Sequence, residues 1–280
     1  MNADVTAYLR CPVCAGELAV AGGARPSRAL CCPRGHSFDI ARQGYAHLGT
    51  GRAVHSGDTA EMIAARAEFL AEGHYDVIPA AIADAAGDTG GLVVDAGSGT
   101  GHHLARVLDA LPRAVGLALD VSKAALRRAA RSHPRTAAVL CDTWGRLPLA
   151  DGAAALVLNV FAPRNGPEFR RILRPDGRLF VVTPDADHLT ELVDALDLLR
   201  VDPEKPARTA ASLGDWFEPA GEGTHRRTLW LNRRQVRTVA GMGPSAWHRE
   251  PAVLAERIAR LPEPVAVTAA FRLTAYRPRR

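Results

Sequence analysis

The 280-residue chain is short of several things, and each shortage narrows the reading. No run of about 18 apolar residues occurs, so no helical membrane span is expected. The opening "MNADVTAYLR" has no basic stretch followed by an apolar core, which argues against a secretory leader. There is no internal repeat and no long low-complexity tract. Lysine is almost missing, with 2 against 33 arginines, a bias that with the abundant alanine points to the composition of the coding DNA. Cysteine is scarce beyond residue 32, where only Cys141 occurs. The expected setting is cytoplasmic, where thiols stay reduced and clustered cysteines signal metal rather than disulfides.

Four cysteines fall between positions 11 and 32, and a histidine follows at 36. Cys11-x2-Cys14 has the spacing of a zinc knuckle. Cys32-x3-His36 supplies a second pair after a 17-residue span. Three thiolates and one imidazole make a closed, structural zinc site. Cys31 competes with Cys32 for the third position. Cys32 is favoured because "CPRGH" then mirrors "CPVC", with proline directly after the ligand. A segment with so little core of its own would draw its folding free energy from the metal.

Formal charge is +5 but unevenly spread. Residues 1–55 carry 6 cations against 3 anions, residues 56–220 carry 17 against 23, and residues 221–280 carry 12 against 4. Two basic ends around an acidic middle suit a polyanion held by the ends.

Residues 1–50 read as short hairpins around the zinc, and "GRAVHSGD" (51–58) as a linker. "DTAEMIAARAEFLAEGHY" reads as a helix capped by Asp58 or Thr59, with Met62, Ile63, Ala65, Arg66, Phe69 and Leu70 recurring on one face and Gly73 ending it. From Gly91 strands and helices alternate. Strands are expected at 91–96, 114–120, 136–142, 153–160 and 177–184, with helices at 103–111, 122–132, 166–173 and 187–200. Apolar strands alternating with helices indicate an α/β, parallel, doubly wound sheet. Strands at 225–232 and 265–278, with helices between them, suggest an antiparallel hairpin at one edge.

"VVDAGSGTGHH" places Gly97, Gly99 and Gly101 between a strand and a helix, with Asp95 just ahead. Such a loop brings a ligand against the backbone and the helix N-terminus. The spacing is G-x-G-x-G, not the dinucleotide G-x-G-x-x-G, so a pyrophosphate is disfavoured. Asp120 ends the second strand and suits ribose hydroxyls. Asp142 ends the third and suits an adenine amine. This layout resembles the class I (Rossmann-like) S-adenosylmethionine-dependent methyltransferases.

"CPVC", "CPRGHSFDIARQGY", "GDTAEMIAARAEFLAEGHY", "VVDAGSGTG", "LDVSK", "FAP", "TPDADHL" and "PSAW" together resemble one family, the bacterial 23S rRNA guanine-N1 methyltransferases of the RlmA type. The resemblance implies three parts: a zinc-binding RNA-recognition module at 1–50, a linker with helices at 51–90, and a methyltransferase domain at 91–280. It implies Cys11, Cys14, Cys32 and His36 as ligands of one structural zinc, and Tyr75, Gly99, Thr100 and His188 as cofactor contacts beside Asp95, Gly97, Asp120 and Asp142. It further implies a hairpin loop of 23S rRNA as the partner, no membrane, and a homodimer. Arginine- and alanine-rich composition is similar to the Gram-positive branch linked to tylosin-like macrolide resistance, which acts at a nucleotide-748 type of guanine rather than 745. "NVFAP" (159–163) follows the fourth strand. Backbone carbonyls from Asn159 onward suit the guanine amine and Phe161 suits stacking on the base, although Phe161 would serve equally as core. The alternative is a class I methyltransferase acting on another RNA or on a small molecule.

Overall fold

The computed structural model describes residues 2–21, 28–49, 57–198, 211–243 and 250–279. A first helical turn, α1 (Ala3–Thr6), precedes a three-stranded antiparallel sheet of β1 (Ala19–Ala21), β2 (Ala29–Cys31) and β3 (Ser37–Asp39). The large sheet begins with β4 (Tyr45–His47). Two helices follow, α2 (Ala60–Ala71) and α3 (Val77–Ala86). Alternation then runs β5 (Gly91–Ala96), α4 (His102–Ala110), β6 (Ala114–Asp120), α5 (Lys123–Ala129), β7 (Thr136–Leu140), β8 (Ala154–Val160), α6 (Gly166–Ile172), β9 (Leu173–Pro184) and α7 (Thr190–Leu196). The tail supplies β10 (Phe217–Leu231), α8 (Arg233–Gly241), α9 (Pro251–Ala259) and β11 (Val265–Pro278).

The eight-stranded sheet has the order β10-β11-β9-β8-β5-β6-β7-β4. Its strands are parallel except β11, which is antiparallel to β9, and β10, which is antiparallel to β11. Strand order reverses between β5 and β8, and ligands of open α/β sheets bind at such a switch point. Every residue of β7 and β8 is buried, as strands covered on both faces require. One face is filled by Phe69, Ile78, Ile82, Leu104, Leu158 and Phe180, and the other by Leu9, Leu117, Val139, Phe169 and Leu179.

The boundaries differ from the sequence reading in instructive ways. Residues 1–50 do not stand apart. Tyr45 pairs in register with Ala138, so β4 is the outer strand of the large sheet. Arg10 N–H donates to Pro148 O at 2.9 Å, and Leu9 bridges Leu149. Val5, Leu9, Leu18 and Leu30 share one core with Leu117, Val139 and Leu147. The segment therefore has apolar burial beyond its metal. Residues 57–90 are not a tether either, because α2 and α3 bury Phe69, Leu70, Ile78 and Ile82 against the sheet.

The helix expected over 187–200 is shorter. It starts after Leu189 (φ +58°) and stops at Asp197 (φ +55°), both left-handed. β9 begins four residues earlier than expected because Leu173 already pairs with Ala154, and "RPDG" bulges out between that pair and the Leu156–Arg178 pair. β10 begins eight residues earlier than expected. Its first half, "FEPAGEGT", is largely exposed with no alternation to reveal a strand, and pairing to β11 holds it. "PSAW" (244–247) lies outside the described residues, as do Arg25 and Arg52.

Candidate active site and zinc centre

Two tight turns build the metal cluster. Ala15 N–H donates to Cys11 O (2.8 Å) and Gly35 N–H donates to Cys32 O (3.0 Å). These turns place Cys14 Sγ 3.7 Å from Cys32 Sγ, Cys11 Sγ 3.6 Å from His36 Nδ1, and Cys32 Sγ 3.3 Å from the same nitrogen. All four donor atoms lie within 4.8 Å of one another. Zinc bonds of about 2.3 Å to sulfur and 2.0 Å to nitrogen imply edges of roughly 3.5–3.8 Å in a tetrahedron. The donor set and its geometry fit structural zinc, bound through His36 Nδ1. Burial opposes the Cys32 thiolate, but hydrogen bonds from the His36 and Arg34 backbone and the His36 ring outweigh it and bring the thiol down to about 6. Cys31 is turned away and donates to Ser37 Oγ at 3.4 Å.

At the switch point, the glycine loop takes the conformation its sequence allows. Gly97 (φ +84°) packs so closely on the 159–163 loop that a Cβ there would meet Ala162 Cβ at 2.4 Å. Gly99 (φ +53°) turns its N–H to Asp120 Oδ2 at 2.8 Å, while Ser122 N–H donates to Asp120 Oδ1, also at 2.8 Å. Asp120 thus staples the loop to β6. Around it lie buried acceptors and hydroxyls that lack partners: Asp95 Oδ1, Ser98 Oγ, Thr100 Oγ1 and Asn159 Oδ1. Burial, with the Asp120 charge adding to it, pushes the Asp95 carboxyl up to about 7. Burial also raises Asp120, against its two backbone hydrogen bonds. Orphaned acceptors and crowded carboxylates are what a cationic, polar ligand relieves. These residues therefore fit S-adenosylmethionine, with its sulfonium and ammonium. Asp142, one strand further, accepts from Trp144 N–H at 3.0 Å.

The other wall is aromatic. Phe161 follows β8 in a left-handed conformation (φ +53°) and is 41% exposed, so it is not core. Its ring lies 5.6 Å from that of Phe271 and 6.3 Å from that of His188, at 28° to the latter. A bulky residue at positive φ stores strain on the order of 1–2 kcal/mol. Asn159 is wholly buried and cannot touch a base through its side chain. Its Nδ2 donates to Ala96 O (3.2 Å) and Pro163 O (2.7 Å), bracing the loop that carries Phe161. Asn165 Nδ2 reaches the carbonyls of Thr143, Trp144 and Gly145, each at 3.0 Å, and ties the loops after β7 and β8 together.

Tyr75 and His188 meet across this wall, Oη to Nε2 at 3.2 Å. Ala270 N–H donates to His188 Nδ1 (3.2 Å), which puts the ring proton on Nε2. Burial lowers His188 to about 4 and raises Tyr75. His188 is therefore neutral at pH 7 with both nitrogens engaged, and it is not poised as a general base.

Two family models match this chain, the RlmA N-terminal zinc ribbon over residues 9–49 and a methyltransferase domain over residues 93–177. The 23S rRNA (guanine(748)-N(1))-methyltransferase of Streptomyces fradiae is 50% identical, covering 99% of both chains. The chain belongs to the family of 23S rRNA (guanine-N1)-methyltransferases. A Micromonospora griseorubida protein assigned provisionally to the same activity is 65% identical over 99% of this chain and all of its own. Among solved structures, the YcgJ protein of Bacillus subtilis shares the fold at TM-score 0.51 and 14% identity, covering 74% of this chain and all of its own. This enzyme's methyl donor is S-adenosylmethionine and its metal is zinc.

Sequence reasoning missed four residues of this site. Phe271 comes from β11, more than a hundred positions from Phe161, with no local sign. Asn165 caps α6, and nothing in the sequence signals that its Nδ2 also ties two loops together. Ser98 sat unnoticed between the glycines. Arg66 did carry a signal, since an arginine within the buried stripe of α2 needs a reason to be there.

Proposed function

We propose that the enzyme methylates N1 of a guanine of the 748 type in a hairpin loop of 23S rRNA and thereby protects the ribosome against tylosin-like macrolides. The observation that carries the reading is the exposed, strained Phe161 beside the glycine loop, taken with the full-length likeness to the Streptomyces fradiae enzyme. Bound S-adenosylmethionine supplies an electrophilic methyl on its sulfonium. The chain must then hold a flipped-out base in line and exclude water. Phe161 gives the base a face to stack on. Asn159 and Asn165 fix the loop that presents it. The neutral Tyr75–His188 pair closes the wall without taking up a proton.

Charge favours the zinc module as the end that takes the phosphates. In the tail, Arg226 pairs with Asp187, Arg233 with Glu263, Arg234 with Glu68 and Glu72, Arg257 with Asp197, Arg260 with Glu256, Arg272 with Asp185 and Glu222, and Arg277 with Glu218. Arg28, Arg34 and Arg42 are exposed and have no carboxylate partner among the described residues. In the tail Arg227, Arg237 and Arg279 also lack a carboxylate partner among the described residues, but most tail arginines are paired, so the zinc module keeps the larger share of its cations unspent. Its edge strand β4 is three strand spacings from β5, about 14 Å. A hairpin held there can reach the site with its loop. Cys11, Cys14, Cys32 and His36 as zinc ligands, Tyr75, Asp95, Gly99, Thr100, Asp120, Asp142 and His188 around the cofactor, and a homodimer belong to the same proposal.

The test is transfer of labelled methyl to naked hairpin fragments of 23S rRNA. Label is expected at N1 of the guanine at 748, and none when that guanine is replaced by adenine. Label at another position, or only on small molecules, refutes the reading. Light scattering reports the dimer.

A further inference from the structure

We propose that Arg66 receives the carboxylate of the methionine moiety of the cofactor. This rests on S-adenosylmethionine as the methyl donor and assigns a residue to a part of it that the glycine loop alone does not satisfy.

The geometry carries the assignment. α2 crosses the glycine loop and sets the Arg66 guanidinium on it, so that a Cβ on Gly99 would lie 3.5 Å from Nη1. Two anchors fix the fork. Nη1 donates to Asp58 Oδ2 at 2.5 Å and Nη2 to Met242 O at 2.9 Å. Asp58 is itself fixed, because its carbonyl accepts from Ser122 Oγ at 2.9 Å. A guanidinium has five N–H donors. Two are used, leaving three, and the side chain is still 28% exposed.

The ligand has a matching need. An amino-acid group brings one cation and one anion. The buried acids Asp95 and Asp120 suit its ammonium and the sulfonium, and they repel its carboxylate. Arg66 is the cation the structure places directly against the loop, and its field reaches Asp120 and His103. A planar fork held by two partners loses little freedom on taking a carboxylate in two parallel hydrogen bonds. Asp58 and Met242 O then act as positioning partners.

The experiment compares two ligands on the zinc-loaded full chain by calorimetry. S-adenosylhomocysteine has the carboxylate; 5′-methylthioadenosine shares the adenosine and thioether but lacks it. Arg66→Ala is expected to weaken S-adenosylhomocysteine ten- to a hundredfold and methylthioadenosine less than twofold. Arg66→Lys keeps a cation for Asp58 and so preserves the local packing, and it should lower the ratio of the two affinities about fivefold or more. Methylthioadenosine binding also reports that each variant is folded. Equal weakening of both ligands means a packing role and overturns the proposal, as does an unchanged ratio in Arg66→Lys. If wild type binds neither ligand, the cofactor reading fails first and this proposal with it.

Discussion

Asp95 sits 1% exposed at the end of β5, with Oδ1 unpartnered and Asp120 nearby. Burial first, and the Asp120 charge second, raise its carboxyl from 3.8 to about 7. The sign follows from linkage. A raised acid makes the empty fold hold its proton more tightly than the unfolded chain does. Stability of the empty protein therefore falls as pH rises from about 4 to 7, and the whole penalty persists above that. Three units at about 1.36 kcal/mol each set a ceiling of about 4 kcal/mol. A cationic ligand reverses the preference, because it favours the charged form. Cofactor affinity should then rise with pH between 5.5 and 7, by up to tenfold per unit, and binding should release close to one proton at pH 6. Asp95→Asn should make the empty protein more stable than wild type at pH 8, by roughly 1–4 kcal/mol, and that margin should shrink by more than half at pH 5. Its cofactor affinity should be weaker and nearly flat with pH. Calorimetry in two buffers of different ionisation enthalpy counts the protons, and thermal melts at pH 5 and 8 read the stability. Wild-type binding with no proton release and no pH slope in that window would refute the assignment.

Further outcomes follow from the same geometry. Cys32→Ser should lose zinc by metal analysis while Cys31→Ser keeps its full content; the reverse would mean that the ligand choice is wrong. Phe161→Ala should lower methylation of hairpin RNA by ten- to a hundredfold, from about 1–3 kcal/mol of lost stacking, with cofactor affinity unchanged; a change in cofactor affinity alone would remove the base-stacking role. Asp120→Asn keeps the size but donates where Gly99 N–H and Ser122 N–H need an acceptor, so it should weaken cofactor binding at least tenfold by calorimetry. An Arg34→Ala, Arg42→Ala double variant should weaken RNA binding and flatten its salt slope by about 1.5, whereas Arg233→Ala with Arg277→Ala should leave the slope unchanged. Equal slopes for both pairs would deny the zinc module its role in holding phosphate.

The sheet was legible because each strand from 91 to 184 is apolar and each turn carries its own chemistry. The glycine spacing, Asp120 after a strand, and paired cysteine knuckles are local signals, and they lie where local geometry alone decides position. What stayed hidden depends on contacts far apart in sequence. That β4 joins β7 follows from Tyr45 meeting Ala138, and three residues with no alternation carry no pattern to show it. After the buried Phe217, the rest of "FEPAGEGT" is largely exposed with no alternation, and it is held as strand by the ladder β11 offers. Phe161 was ambiguous between core and platform. Its exposure comes from the left-handed turn that Asn159 braces through Pro163 O, and a phenylalanine in sequence does not announce positive φ.

Net charge misled in a more general way. The tail carries the larger excess, 12 cations against 4 anions, and by counting alone it is the better polyanion surface. Folding brings Glu68, Glu72, Asp185, Asp187 and Asp197 from the acidic middle onto that tail, where they pair with its arginines. The acidic middle and the basic tail are thus largely one self-neutralised structure. Arg28, Arg34 and Arg42 have no such partners among the described residues, and in the tail only a minority of the arginines, Arg227, Arg237 and Arg279, are left without one there. An arginine already paired to a carboxylate has its charge largely offset, and the partner carboxylate repels an incoming phosphate. On the proposed reading, the surface that binds is set by which charges folding leaves unpaired, and the salt slopes of the two double variants test whether the zinc ribbon at the β4 edge supplies it.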